Sequence, residues 1–385
     1  MQHEEILHRC FRCGYCKLPG NYMDFNCPAY LAFRFETYSP GGRMWLLRAW
    51  LNNKINTSKR FQEIIYSCVN CGNCVEQCAF DKFKDQLLLA FMAAKEELVN
   101  AGTVPPAVRD CLTYLYQYGN PYGRGRKKRG DWVQELKIDL FAGHKYLFYP
   151  GDVGAYDSRG QEIARSVARL LQALDISFGI LGAEEHSDGN EANAMGEREL
   201  FKHLAEKNIR TFNAAGVKRI IALSPHGFNA LKNDYSPLGG NYQVFHYTQI
   251  LAPLVKKAVF KTDLPPTRVT YHDPCYLGRH NSEYWAVRNI LSALPSVDVL
   301  EMDRCLQNAL CCGGGGGNVF TDIVGSRQET AARTRVHEAA ETSAQVLAVA
   351  CPACAIMLED AVKVENLEGK IEVKEITEII HARLA

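Results

Sequence analysis

Thirteen of the 15 cysteines fall into three tight constellations, and no other feature limits the fold so strongly. Eight lie near the N-terminus. They read Cys10-Phe-Arg-Cys13-Gly-Tyr-Cys16 with Cys27-Pro28 ten residues on, then Cys68-Val-Asn-Cys71-Gly-Asn-Cys74-Val-Glu-Gln-Cys78. Five lie in the last third: Cys275, the pair Cys311-Cys312, and Cys351-Pro-Ala-Cys354. A chain of 385 residues that is 47% hydrophobic can bury real cores and needs no disulfide staples. The opening Met1-Gln2-His3-Glu4-Glu5 has no basic n-region and no apolar h-region, and no run of ~18 apolar residues follows. The expectation is a cytoplasmic, reducing setting with no transmembrane segment, any membrane association coming through a partner subunit. Clustered thiols in such a setting are metal ligands or catalytic groups rather than disulfides. A net charge of +1 argues against nucleic-acid or anionic-membrane binding through bulk charge.

The second N-terminal constellation has the C-x2-C-x2-C-x3-C spacing of bacterial ferredoxins, with Ala79 in place of the final proline. The first is the same motif with its last gap widened. Three thiolates two residues apart hold three corners of one cube, and the fourth cysteine reaches the other cube. Cys10, Cys13, Cys16 and Cys78 are therefore assigned to one 4Fe–4S cubane, and Cys68, Cys71, Cys74 and Cys27 to a second. Gly14 and Gly72 let the backbone approach inorganic sulfide. Two structural zinc sites are the competing reading, but zinc takes four ligands, usually as two separated pairs.

The chain beyond about residue 140 contains a hidden repeat. Residues 141–262 and 263–385 both alternate strand and helix, which implies parallel sheets flanked by helices. In the first copy the strand-like segments are Lys145–Tyr149, Ile176–Leu181 and Arg219–Leu223. Aligned on the second copy, Asp152 lies over Cys275, Ser187-Asp188-Gly189 over Cys311-Cys312-Gly313, and Ser224-Pro-His-Gly227 over Cys351–Cys354. The first copy thus keeps the frame without the thiols. A pseudo-twofold relation between the copies is expected. His186, Asp188, Asp152 and His226 are candidates to meet at the thiol-free site, either as ligand contacts or as a hydrogen-bonded polar filling. The five C-terminal thiols are expected at strand ends and helix starts, the ligand-binding edge of an open α/β sheet.

The whole domain reading is a two-cubane domain over 1–100, a helical linker and basic loop over 101–140, a cysteine-free repeat over 141–262 and an intact one over 263–385. Gln86–Leu98 is the clearest helix before the repeats. The basic run Arg124-Gly-Arg-Lys-Lys-Arg129 reads as a solvated linker or a docking patch. The glycines Gly313–Gly317 lack a following Gly-Lys-Ser/Thr and the Rossmann spacing, so they read as turn formers and N–H donors at the thiol site. Cys111 and Cys305 fit no pattern and read as structural.

Two ferredoxin motifs followed by Cys…Cys-Cys-Gly…Cys-Pro-x-Cys resemble the CCG-domain iron–sulfur proteins, and in particular the fused catalytic subunit of heterodisulfide reductase. Similar chains serve glycolate oxidase and anaerobic glycerol-3-phosphate dehydrogenase. The resemblance implies that Cys275, Cys311, Cys312, Cys351 and Cys354 hold a non-cubane 4Fe–4S cluster. Zinc on four of the five thiolates is the redox-inert alternative. Heterodisulfide reductase carries two complete motifs and this chain one. Two functions follow from the resemblance. One is an electron-transfer subunit of an anaerobic oxidoreductase complex, working with flavin-containing or iron–sulfur redox subunits. The other is a catalytic subunit acting on a thiol/disulfide substrate, with Cys275 and Cys312 at the reacting cluster and His272 or His280 moving protons.

Overall fold

The computed structural model describes residues 1–20, 24–133, 136–261, 263–325 and 327–385. Its two α/β units each carry a four-stranded, wholly parallel sheet. The first is ordered β2-β1-β3-β4, with β1 Tyr146–Tyr149, β2 Phe178–Gly179, β3 Arg219–Ala222 and β4 Gln243–His246. The second repeats the order as β6-β5-β7-β8, with β5 Thr267–Tyr271, β6 Val297–Val299, β7 Val346–Val349 and β8 Glu372–Glu375. Hydrophobic patterning locates three strands of the first copy and misses β4, whose partly exposed Gln243-Val-Phe-His lacks a continuous apolar run. β1 and β7 are buried at every position, as expected of strands covered on both faces.

The strand order decides where a ligand can sit. In each sheet the chain crosses one way after the first strand and the other way after the third. The crevice beyond the carboxyl ends of those two strands is the topological switch point. Asp152 and Ser224 follow β1 and β3, while Cys275 and Cys351 follow β5 and β7. The five thiols of one copy and their replacements in the other thus occupy the same crevice of two equivalent sheets.

The two units pack reciprocally. Helix Tyr247–Val255, after β4, lies on helix Trp285–Ala293 after β5, and helix Ile376–His381, after β8, lies on helix Ser158–Ala173 after β1. Each helix of one pair is the counterpart of a helix in the other, which is the pattern a twofold produces. The Ser166 and Thr377 hydroxyls join at 2.7 Å, and Tyr247 donates to the Glu375 carboxylate across the seam. One continuous apolar core runs through both units.

The N-terminal region is helical. Ser39 and Ser58 cap helices Pro40–Leu51 and Lys59–Tyr66, each accepting a backbone N–H with its hydroxyl. Helix Gln86–Asn100 buries Leu87, Leu88, Phe91 and Leu98 and runs slightly past the expected segment at its end. Among the described residues, no helix is long and apolar enough to cross a membrane.

Candidate iron–sulfur and thiol sites

The N-terminal thiols gather across the two motifs. Cys16, Cys27, Cys68, Cys71 and Cys74 line one pocket. Cys78 lies near enough to Cys10 and Cys13 for their charges to act on it, and Cys16 feels Cys10 and Cys13 as well as Cys27. The last cysteine of each motif therefore keeps company with the triplet of the other. Gly14 and Gly72 both hold a left-handed φ, +85° and +75°, which turns the loop tightly inside each triplet. Cys13 is exposed, Cys10, Cys16 and Cys78 are half-buried, and Cys27, Cys68, Cys71 and Cys74 are buried. Burial pushes the Cys27 thiol up to about 11 and the Cys74 thiol well above its ordinary value, so these groups ionise readily only beside an added positive charge.

Three cations lie at the pocket or behind its cysteines, Arg43 and Lys95 buried and Arg279 partly exposed. Arg43, 1% exposed, lines it and donates to the Ile64 carbonyl at 2.9 Å and the Ser67 hydroxyl at 2.8 Å. Lys95, 0% exposed, donates to the carbonyls of Cys68 and Ala194 at 3.0 Å and to Asn70 Oδ1 at 3.3 Å. Arg279 donates through Nε to the Cys71 carbonyl at 2.7 Å and through Nη1 to the Ala309 carbonyl at 2.6 Å. Among the described residues none of the three forms an ion pair with a carboxylate. Buried charge without a counter-charge is costly. A four-thiolate iron–sulfur cluster is anionic, so the donor set and its surroundings fit that group. These cations carry no spacing signal, and sequence reasoning missed them.

The C-terminal five are all buried. Cys275 follows β5. Cys351 is the N-cap residue of helix Pro352–Val364, and Cys354 sits in its first turn. Cys311 and Cys312 lie in an irregular loop and not at a strand end or helix start as expected. Cys311 Sγ is 3.6 Å from Cys275 Sγ, and Cys312 Sγ is 3.3 Å from Cys354 Sγ. The Gly313 N–H donates to Cys311 Sγ at 3.3 Å. The adjacent Cys311 and Cys354 sulfurs, with His272 alongside, hold Cys312 well below the ordinary thiol value. His272, Cys312 and Cys354 place their ligand atoms within 4.8 Å of one another. His272 is fully buried; its Nδ1 accepts from Arg335 Nε at 3.3 Å, and its Nε2 has no protein partner. Asp273 pairs with Arg288 at 2.6 Å and accepts the Leu306 N–H at 2.8 Å, which is a capping role. His280 contacts the Asn70 carbonyl at 2.8 Å and stacks on the Tyr276 ring, which His226 also meets.

The two thiol sites adjoin. Cys71 and Cys311 belong to one packed cluster and are near enough for each to act on the other's ionisation. The glycine run makes the approach possible. A Cβ on Gly315 would stand 2.5 Å from the Val69 carbonyl oxygen, and one on Gly316 would stand 2.7 Å from that of Cys68. The motif predicts turns and N–H donors for these glycines. Gly313, Gly316 and Gly317 do hold positive φ, and Gly315 adds a role the motif alone does not show, close contact with the ferredoxin loop.

The thiol-free copy is filled by an ion network. Arg129 donates to Asp152 Oδ1 at 2.6 Å, to Glu185 Oε1 at 2.7 Å and to the His186 carbonyl at 3.1 Å. Ser187 donates to the other Asp152 oxygen at 2.6 Å. The basic run is therefore neither a solvated linker nor a free docking patch over its whole length, because its last arginine is 2% exposed and plugs the site that aligns with Cys275. The four candidate residues do not converge. Asp152 and Asp188 are neighbours; burial raises Asp188 to about 7. The His186 ring turns toward Arg126 and the His226 ring packs on Tyr276 at 4.3 Å. Cys111 is buried in helix Pro106–Tyr118, and Cys305 is half-buried.

The cysteine-rich CCG domain family matches residues 147–232 and 269–359, one match on each sheet unit, and the 4Fe-4S dicluster domain family matches residues 6–81. The chain belongs to the CCG-domain iron–sulfur proteins. It is 34% identical over 332 residues to the probable iron-sulfur-binding oxidoreductase FadF of Bacillus subtilis, covering 83% of this chain and 46% of that protein. It is 32% identical over 332 residues to the EtfAB:quinone oxidoreductase of Syntrophomonas wolfei, with the same coverage of each. Across 400 residues it is 29% identical to one subunit of the dihydromethanophenazine:CoB–CoM heterodisulfide reductase of Methanosarcina barkeri, covering 97% and 93%. This CCG-domain protein thus spans about half the length of the first two relatives and nearly all of the third. Its N-terminal dicluster domain and cysteine-rich domains are iron–sulfur architecture.

Proposed function

We propose that this protein is the iron–sulfur electron-transfer subunit of an anaerobic oxidoreductase complex. Cys10, Cys13, Cys16 and Cys78 hold one 4Fe–4S cubane at the exposed end. Cys27, Cys68, Cys71 and Cys74 hold a second in the buried pocket. Cys275, Cys311, Cys312, Cys351 and Cys354 hold a third, non-cubane 4Fe–4S cluster. When bound, these groups supply one-electron carriers whose potentials the protein sets through charge, hydrogen bonds and burial. The observation that carries the reading is that Cys71 packs in one cluster with Cys311, with Arg279 tying the Cys71 carbonyl to the Ala309 carbonyl, so that the dicluster domain and the C-terminal thiols adjoin inside the molecule. A flavin-containing or iron–sulfur partner delivers or takes electrons at the exposed Cys13 end, and any membrane attachment comes through such a partner.

A second reading has one observation in its favour. A cleft of about 180 Å³ reaches Cys312 from the surface past Arg327, Arg333 and Met357. A thiol or disulfide substrate entering it would meet Cys312 and, behind it, His272. His272 would then supply or accept the proton, from a ring whose Nε2 has no protein partner.

The test is anaerobic iron, sulfide and zinc analysis of the purified protein and of Cys311→Ser/Cys312→Ser. The proposal expects about twelve iron atoms per chain, three clusters of four, falling to about eight in the variant. Eight iron and one zinc, with zinc alone lost in the variant, would remove the third cluster and with it the thiol/disulfide reading.

A further inference from the structure

We propose that Lys95 and Arg43 fix the reduction potential of the buried cubane and make it the higher-potential member of the N-terminal pair. The inference rests on the ligand assignment proposed above. The three acceptors around Lys95 Nζ are Cys68 O, Ala194 O and Asn70 Oδ1, all within 3.3 Å. Three acceptors and no donor match the three N–H bonds of an ammonium ion. Burial lowers its pKa to about 8, so the group is charged at neutral pH. Asn70 Oδ1 lies 3.6 Å from Cys68 Sγ, so the cation stands one amide away from a ligand sulfur. Arg43 lines the same pocket and has only neutral partners.

Adding an electron to a four-thiolate cluster adds negative charge. Burial alone opposes that addition, and fixed positive charge favours it. Here Arg43 lines the thiol pocket and Lys95 is buried directly behind its Cys68–Asn70 wall. The exclusion of water that penalises the electron also strengthens its attraction to them. The outer constellation has no buried equivalent among the described residues. Cys13 is exposed, and Lys17 is neutralised by Glu36 at 2.6 Å and Lys84 by Asp81 at 3.1 Å. Arg12, which acts on Cys10, lies over the Trp45 ring at 3.7 Å and is exposed to solvent that screens it. An electron entering at the outer end is therefore drawn inward, toward Cys71 and the adjoining Cys311. Lys95 also binds Ala194 of the first α/β unit, so the potential depends on that unit staying docked.

The experiment is a potentiometric titration of the anaerobic, fully loaded protein followed by electron paramagnetic resonance, with iron and sulfide measured on every sample. Cys13→Ser alters or abolishes only the outer signal and Cys311→Ser/Cys312→Ser only that of the C-terminal site, so the signal unchanged in both belongs to the buried cubane. In the wild type that signal appears before the Cys13-sensitive one on reduction. In Lys95→Met that signal moves to lower potential, its reduced-to-oxidised ratio at fixed poise falling at least tenfold, or 59 mV for one electron. The Cys13-sensitive signal stays in place, and Lys95→Arg restores most of the shift. Normal iron content with an unmoved inner signal, or an equal shift of both signals, overturns the proposal. So does a wild type whose Cys13-sensitive signal appears before that of the buried cubane. If Lys95→Met does not load iron, Arg43→Gln and the wild-type order decide. A wild type without eight N-terminal irons fails the ligand assignment instead.

Discussion

Replacing Gly315 with alanine should loosen the seam between the dicluster domain and the C-terminal unit without touching a ligand. The added Cβ would lie 2.5 Å from the Val69 carbonyl oxygen. An ordinary contact of 3.4 Å requires the two backbones to part by roughly 0.9 Å. Neither side yields easily, because Val69 precedes Asn70 and Cys71, whose carbonyls are held by His280 at 2.8 Å and Arg279 at 2.7 Å. Overpacking of this kind costs about 1–3 kcal/mol. At ~2–4 °C per kcal/mol, the unfolding midpoint should fall by about 2–12 °C at a fixed scan rate. Iron content should remain that of the wild type, since no thiol is removed. Intramolecular electron transfer between the N-terminal clusters and the C-terminal site, measured by flash reduction, should slow as Cys71 and Cys311 move apart. Gly102→Ala is the control, because nothing lies within 4 Å of the Cβ it would gain, although its φ of +64° carries a small backbone cost of its own. A Gly315→Ala protein with wild-type midpoint and wild-type transfer rate would refute the close-approach account of the glycine run.

Arg129→Met should cost about 3–5 kcal/mol, because it leaves Asp152 and Glu185 buried without their counter-charge; denaturant unfolding would measure it, and a loss below about 1 kcal/mol would contradict the ion-network reading. His246 is buried and its imidazole is pushed down to about 3 by desolvation. It is neutral in the fold and charges on unfolding below about pH 6.5. Its contribution is thus present above pH 6.5 and lost as pH falls, by about 2 kcal/mol at pH 5. His246→Leu should flatten the stability profile between pH 6.5 and 5 by up to one proton, while an unchanged slope would show the histidine already charged in the fold.

The cysteine sites were legible in the sequence because iron–sulfur ligation depends on thiol spacing, and spacing survives in one dimension. Cys27, after a gap of ten residues, still sits with Cys68, Cys71 and Cys74 in one pocket. The repeat was legible for a related reason: alternating strands and helices keep their order, and Asp152 lies in the same crevice of its sheet as Cys275 does in the other. What spacing does not encode is which distant backbone a residue meets. Lys95 looked like one polar position on an amphipathic helix, yet its ammonium spans Cys68 and Ala194. Arg129 looked like the end of a solvated basic run, and the carboxylates that bury it are 23 and 56 residues away. A cation in a run of cations gives no hint which of them is buried.

The loss of five thiols in the first copy changes what the two-unit architecture can do. With Arg129, Asp152, Ser187 and Glu185 satisfying one another, the first crevice offers no soft ligands, and admitting a metal there would leave Arg129 facing a second positive charge. That crevice is therefore scaffold. Its segment Ala194–Gly196 packs on Lys95, and a Cβ on Gly196 would strike the Lys95 backbone at 2.5 Å. The repeat that lost its thiols thus still bears on the cluster chemistry, by pressing the ammonium of Lys95 against the ferredoxin loop. Substitution within it, for example Gly196→Ala, should disturb the cubane proposed at the buried pocket more than the cluster proposed at the C-terminal thiols, a ranking that the relative shifts of their redox signals would test directly.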